Sequence, residues 1–174
     1  MNEWRRTRPQ PDEYNPYFDR YISRVPDADI IDVLGSQIEE TVALLRNLPE
    51  TMGGHRYAPD KWSIRQVIGH MCDGERVFSY RALRFSRSDP LPVEGFDENE
   101  FVANARFNER TIADLTSEFE HLRRAAIHLY AGLDEERMSR RGIANQNEIS
   151  VRALAFVTAG HESHHLEILR TRYL

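Results

Sequence analysis

Seven histidines occur in the chain, and three of them cluster in the segment HESHH, residues 161–165. On a helix with about 100° per residue, His161 and His165 lie only about 40° apart. Four apolar residues share this face with them, namely Leu154, Val157, Ile168 and Leu169. Two neutral imidazoles in an apolar interior need partners for their ring nitrogens, which protein groups or a metal ion can supply. The i, i+4 spacing favours the metal, so His161 and His165 are predicted metal ligands.

The same segment also satisfies H-E-x-x-H, the helix motif of zinc proteases, through His161, Glu162 and His165. The extended form of that motif requires glycine and histidine downstream, but Ile168 and Thr171 occupy those positions. The sequence therefore argues against a protease. Any third protein ligand is expected from an upstream part of the chain.

The best upstream candidate for a third ligand is His70, near the edge of the apolar face of a second predicted helix. Spacing alone leaves two competitors, His128 and Glu75. Glu75 falls on the apolar side of the same helix as His70. The residues by themselves therefore predict a metal centre with His70 as its preferred but not its only possible third ligand.

Other polar residues are candidates for supporting roles. Glu162 directly follows a candidate ligand and could act as a base, orient a ligand or pair with an arginine. Asp73 lies one turn after His70 and could orient a ligand ring, and His164 lies about 60° from His161 on the last helix. Three more polar residues of the second helix are interpreted as packing and ion-pairing groups, namely Tyr80, Arg81 and Arg84.

Four long amphipathic helices must position these side chains. Apolar residues recur at three- and four-residue spacing in the segments 30–47, 64–87, 112–131 and 151–173. The second segment follows a capping box, in which Ser63 and Gln66 stand three residues apart. Four such stripes with short connections bury one another in a four-helix bundle, so the predicted fold class is all-α.

The remaining segments are predicted to connect or cover the bundle. Residues 1–28 contain four of the eight prolines, which indicates an extended or short-helical arm packed on the helices. Asp97 is predicted to cap a short extra helix that ends near Asn108, between the second and third long helices. No strong alternating strand pattern is visible, so RRGIANQNE, residues 140–148, is predicted to be a polar loop. Residues 1–174 then form a single domain.

Composition narrows the class of function. The 174 residues carry a formal charge of −5, and this mild acidity disfavours general binding to nucleic acid. No stretch has the length and hydropathy of a signal peptide or a membrane span, and the single cysteine, Cys72, suits a reducing compartment. We therefore expect a cytoplasmic protein with no nucleic-acid or membrane partner. Leu83 and Phe156 project from the stripes of their helices, which predicts a homodimer formed by helix faces.

The second helix opens with W-S-x-x-x-x-x-x-H, formed by Trp62, Ser63 and His70, and the last helix carries H-x-x-H-H. These two motifs resemble the DinB-like family of metal-binding four-helix bundles. The N-terminal segment YNPYFDRYISRVP is also similar, so the resemblance covers nearly the whole chain. It implies that His70, His161 and His165 are the metal ligands.

The resemblance also implies a function. Three histidines with open coordination positions are what catalytic zinc uses, and nickel, manganese or iron can occupy such a site. We expect one divalent ion, zinc or nickel, in a metal-dependent hydrolase or thiol-dependent S-transferase that acts on a small molecule, with a low-molecular-weight thiol as a candidate partner. The alternative is a stress-associated metal-binding protein without turnover. A cavity over the metal, lined by residues 88–110, would favour the enzyme.

Overall fold

The computed structural model describes residues 3–174 and consists mainly of helices. In chain order these are α1 (Asp19–Ile22), α2 (Ile30–Arg46), α3 (Ile64–Ser86), α4 (Glu98–Asn104), α5 (Ile112–Ala131), α6 (Glu135–Ser139) and α7 (Val151–Ile168). A π-helical turn, Leu169–Tyr173, continues α7. Among residues 3–174, no helix combines the length and the apolar composition needed to cross a membrane.

Each of the four long helices begins at a side chain that accepts a hydrogen bond from the first turn. Asp29 caps α2, Thr111 caps α5 and Ser150 caps α7. Ser63 caps α3 in a full capping box: its Oγ accepts a bond from Gln66 N over 3.2 Å, and Gln66 Oε1 accepts one from Ser63 N over 3.0 Å. These caps satisfy amide groups that a helix start leaves unpaired, which explains why the predicted helix starts agree with the structure.

The long helices form the predicted four-helix bundle. Both α2 and α3 pack against α5 and α7. The consecutive helices α2 and α3 therefore occupy opposite corners of the bundle, and α5 and α7 lie between them. This arrangement places α3 directly beside α7, which carries HESHH.

A polar layer crosses the bundle and divides its core into two apolar clusters. On α3, the buried apolar residues between Ile64 and Cys72 belong to one cluster, and those between Phe78 and Phe85 belong to the other. Between or beside them lie buried polar side chains from all four long helices, namely Thr41, His70, Glu75, Arg123, Thr158, His161, Glu162 and His165. The apolar clusters hold the helices together, and the layer between them holds the groups capable of chemistry.

The N-terminal arm packs against the bundle. Trp4 is 1% exposed and joins the apolar cluster at the start of α7. The buried carboxylate of Glu13 accepts hydrogen bonds from Ser150 Oγ over 2.7 Å and from Arg152 Nη2 over 2.5 Å. Met1 and Asn2, which belong to the predicted arm, lie outside the described residues.

The polar loop predicted over residues 140–148 is wrong, because most of it forms a β-hairpin. Strands β1 (Arg141–Ala144) and β2 (Asn147–Ser150) pair antiparallel. Asn145 and Gln146 form the two-residue turn with φ of 48° and 64°, as a type I′ turn requires. The turn lacks the glycine that usually marks it, so the sequence gives little sign of a hairpin. Two backbone hydrogen bonds join this turn region to Val93 in the loop before α4.

Two further expectations differ from the structure. The short extra helix ends at Asn104 rather than near Asn108, because Arg106 adopts a left-handed φ of 53° before a single 3₁₀ turn, Phe107–Glu109. Phe156 does not project outward: it is 1% exposed and packs in the core, since residues 153–162 of α7 are all buried and Arg8 of the arm lies over the Phe156 ring. Leu83, in contrast, is 42% exposed as predicted.

Candidate metal centre

Three histidine side chains from two neighbouring helices converge at the polar layer. His161 Nε2 lies 3.0 Å from His70 Nε2 and 3.1 Å from His165 Nε2. The side chains are buried, and the coordinating atoms of all three lie within 4.8 Å of one another. The structure thus brings together His70 of α3 with His161 and His165 of α7.

This arrangement fits a shared metal ion. His70 Nε2 and His165 Nε2 both face His161 Nε2, so a single ion between the rings would be within reach of all three nitrogens. Burial lowers the pKa of His70 to about 4 and lowers the pKa values of His161 and His165 well below the usual range. Neutral imidazole is the form that binds metals. Since three facing ring nitrogens cannot all be satisfied by hydrogen bonds to one another, a cation is the natural partner.

Aromatic rings enclose the three imidazoles. The Trp62 ring lies 4.7 Å from the His70 ring, and Phe78 and Tyr21 each lie 5.4 Å from the His161 ring, as measured between centroids. A Cβ at Gly74 would lie only 2.8 Å from His161 Cε1, so the absence of a side chain there makes room for the imidazole. The rings fix the orientation of the ligands and limit access of water.

One side of the cluster faces a cavity of about 540 Å³. Its walls come from the arm, from α3 and α7, from the loop before α4 and from the hairpin. The loop and hairpin contribute Gly95, Phe96, Ala144, Asn145 and Asn147. A cavity of this volume accommodates a small molecule. Of residues 88–110, the segment expected to line the cavity of an enzyme, Gly95, Phe96 and Glu98 do so.

The structure does not place Glu162 in this cavity. Its carboxylate accepts hydrogen bonds from Thr41 Oγ1 and from Arg123 Nη1, both buried. Arg123 also donates to the two carboxylate oxygens of Glu75, over 2.5 and 3.1 Å. None of the side chains in this ion-pair network, those of Glu75, Arg123 and Glu162, lines the cavity. A role for Glu162 as a base therefore has no support in the geometry, and Glu75 is not available as a ligand.

The other candidates have separate locations. His164 lines the cavity, its ring 5.0 Å from that of His165, and its buried Nδ1 has no hydrogen-bond partner within residues 3–174. Asp73 does not line the cavity, and its carboxylate lies 3.9 Å from Arg76 Nη1. His128 is exposed on α5. Of the supporting residues, only His164 is thus beside the cluster.

Arg81, which the sequence analysis interprets as a packing and ion-pairing group, lies at the candidate site. It is 5% exposed and lines the cavity, where its Nη2 donates a hydrogen bond of 3.2 Å to the backbone oxygen of Glu94. A signal was present, because eleven residues separate His70 from Arg81, so both lie within about 20° of one helix face. Tyr80 and Arg84, in contrast, contact each other outside the cavity, with Arg84 Nη1 donating to Tyr80 Oη over 3.0 Å.

Comparison with known proteins agrees with this architecture. The fold is similar to that of YfiT from Bacillus subtilis, described as a probable metal-dependent hydrolase with an unusual four-helix bundle topology. The likeness covers 94% of this chain and 92% of YfiT, with a TM-score of 0.68 and 15% sequence identity. No curated protein is a significant match. Residues 34–169, which include all three clustered histidines, match the model of the DinB superfamily, and the chain belongs to that superfamily.

Proposed function

We propose that this protein is a metal-dependent hydrolase of small molecules in which His70, His161 and His165 hold one divalent ion, zinc or nickel. The observation that carries the proposal is the convergence of three buried imidazoles in the wall of a cavity. Structural zinc sites are closed by four protein ligands, whereas catalytic sites keep a position open. Three histidine ligands beside a cavity match the catalytic type of site.

The residues of the chain have distinct tasks in this proposal. When bound, the ion supplies Lewis-acid chemistry that activates water and polarises a carbonyl group. Trp62, Phe78 and Tyr21 hold the imidazoles in place and exclude bulk water. The buried ion pairs of Arg123 fix α7 against α3 and α5, which keeps the ligands of two helices in register. YfiT is described as a probable hydrolase of this kind, which supports hydrolysis over thiol transfer.

The first experiment measures the metal content of the purified full-length protein by elemental analysis. We expect about one divalent ion per chain, and we expect His161→Ala to lose most of it while circular dichroism stays unchanged. The helices should persist because two apolar clusters hold them independently of the histidines. His121→Ala is the matched control, since His121 is exposed on α5 and should leave the metal content unchanged.

The second experiment tests turnover. The metal-loaded protein is assayed with a panel of small esters and amides and, separately, with a thiol and an electrophilic acceptor. The proposal expects hydrolysis that a chelator abolishes and that added metal restores. Undiminished metal content in His161→Ala would contradict the ligand assignment. Hydrolysis that survives metal removal would contradict the mechanism, and bound metal with no turnover would favour the non-catalytic alternative.

A further inference from the structure

Arg81 differs from the other buried arginine in what it contacts. Arg123 is fully buried and pairs with two carboxylates, those of Glu75 and Glu162. Arg81 is 5% exposed, and no carboxylate oxygen within residues 3–174 lies within 4.0 Å of it. Its one recorded hydrogen bond, to the backbone oxygen of Glu94, uses a single N–H group out of five. Its buried Nε has no acceptor in the described part of the chain.

A cation in this position lacks the partner that burial normally demands. Arginine keeps its charge at physiological pH, and a buried charge is costly without an opposite charge beside it. Burial lowers the pKa of Arg81, whereas the neighbouring carboxylates raise the pKa of Arg123. The other charged groups that line the cavity, Arg20 and Glu98, are exposed. The inner cavity therefore carries an uncompensated positive charge.

We propose that Arg81 binds a carboxylate group of the substrate. This inference rests on the proposed function, because it assigns a substrate class to the same cavity. His70 and Arg81 lie on one face of α3, with their backbones separated by about 16 Å along the helix axis. Side chains on a helix lean toward its N-terminus, so Arg81 leans toward His70. A molecule that touches both Arg81 and the metal centre is therefore elongated, with an acid at one end and the hydrolysed bond toward the other.

The surroundings favour a carboxylate over a phosphate. Arg81 is the one buried guanidinium of the described cavity lining, and its N–H groups without an acceptor match the planar oxygens of a carboxylate, whereas phosphate sites collect several cations or amide groups. Between the two ends, Phe78 and Phe96 line the cavity. These rings suit an apolar segment between the acid and the reactive group.

The test compares a carboxylate with its neutral counterpart. Binding of 4-phenylbutyrate and of 4-phenylbutyramide to the full-length protein is measured by titration calorimetry, with the metal removed and with zinc loaded. We expect the metal-free protein to bind the acid about tenfold or more tightly than the amide, because a charge-assisted hydrogen bond is lost with the amide. 3-Phenylpropyl phosphate, the third probe, should bind more weakly than the acid.

Variants of the protein show which residue causes the preference for the acid over the amide. Arg81→Gln should lose about tenfold in affinity for the acid and retain its affinity for the amide. Arg46→Gln removes the same charge from an exposed residue of α2 that does not line the cavity and should change neither affinity. Arg81→Lys should keep part of the preference, and it provides a second test if Arg81→Gln does not fold. If Arg81 served only to stabilise the fold through its hydrogen bond to Glu94, Arg81→Gln would lower thermal stability without changing the ratio of acid to amide affinity.

Several outcomes would overturn the inference. Equal affinities for acid and amide in the wild type would do so, as would a preference that Arg81→Gln leaves intact. If the preference for the acid appeared only with zinc loaded and Arg81→Gln did not change it, the carboxylate would be bound by the metal. Tighter binding of 3-phenylpropyl phosphate than of 4-phenylbutyrate would exclude a carboxylate subsite. Because the main comparison uses the metal-free protein, it can succeed even if hydrolysis fails. Hydrolysis without any preference for acids would leave the proposed function standing and remove only this inference.

Discussion

Three buried neutral imidazoles make the stability of the metal-free protein sensitive to acid. Burial lowers the pKa of His70 to about 4, and those of His161 and His165 well below the usual range, whereas all three should titrate near 6.5 when unfolded. Above about pH 7 neither the folded nor the unfolded chain binds protons at these histidines, so their full contribution to the free energy of unfolding is present. As the pH falls below about 6.5, the unfolded chain takes up protons that the folded chain refuses, so the free energy of unfolding decreases.

The expected decrease is large enough to measure. Between pH 7.5 and pH 5.5 His70 should cost about 1.4 kcal/mol, and His161 and His165 should add to this decrease. Denaturant unfolding of chelator-treated protein at the two pH values gives this difference. His70→Asn should reduce the decrease, whereas His121→Ala, which changes an exposed histidine, should leave it intact. Equal stability at the two pH values would mean that the cluster is accessible to protons when folded.

At the residue scale, the sequence identifies side chains that share a helix face but not their partners. The i, i+4 spacing of His161 and His165 places both on the cavity side of α7. Glu162 looks equally eligible in the sequence, yet it turns to Arg123 on another helix. Only the packing of α5 against α7 decides that contact. The proposed role of Arg81 likewise depends on the absence of a carboxylate beside it in the described part of the fold. No local sequence pattern reveals that absence.

Among the elements, α1 and α7 approach each other closely at Gly160. A Cβ at Gly160 would lie 2.1 Å from the backbone oxygen of Tyr21, and a backbone atom in a packed helix cannot move aside as a flexible side chain can. The same contact places the Tyr21 ring 5.4 Å from the His161 ring and 5.5 Å from the His164 ring. The glycine thus allows the arm to form one wall of the cavity.

Gly160→Ala should therefore destabilise the protein although alanine favours helices. We expect a loss of about 1–3 kcal/mol in the free energy of unfolding from the forced displacement of α1. Gly35→Ala is the matched control: Gly35 lies within α2, and a Cβ there meets nothing within 4 Å, so this change should stabilise by up to about 1 kcal/mol. Denaturant unfolding measures both variants. If they proved equally stable, the close approach of α1 and α7 would be refuted.

The long helices were predictable because local sequence signals determine where they start. The caps at Asp29, Ser63, Thr111 and Ser150 are visible in the sequence, and the helix starts follow from them. The hairpin was not predictable, because its turn lacks glycine and its strands have only four residues each. Backbone hydrogen bonds to Val93, fifty positions away in the chain, support it. Such a long-range contact leaves no periodic pattern.

On the scale of the whole molecule, two side chains of α3 and one of the loop that follows it form an exposed apolar patch. Tyr80, Leu83 and Leu91 are 51%, 42% and 65% exposed. Arg84 joins the ends of this patch, since it donates hydrogen bonds to Tyr80 Oη over 3.0 Å and to the backbone oxygen of Leu91 over 3.2 Å. Contiguous exposed apolar groups are typical of interaction surfaces, and a two-fold axis would pair the patch with its copy.

We predict a homodimer formed through this patch, with the metal centre outside the contact. Light scattering should then give twice the chain mass of 20.3 kDa at micromolar concentration. Leu83→Glu should produce monomers, because a charge buried without a partner is costly, and should retain the metal content of the wild type. Leu174→Glu places the same charge on an exposed leucine beyond α7 and should leave the dimer intact. A mass of one chain for the wild type would refute the dimer, and loss of metal in Leu83→Glu would place the interface against the site.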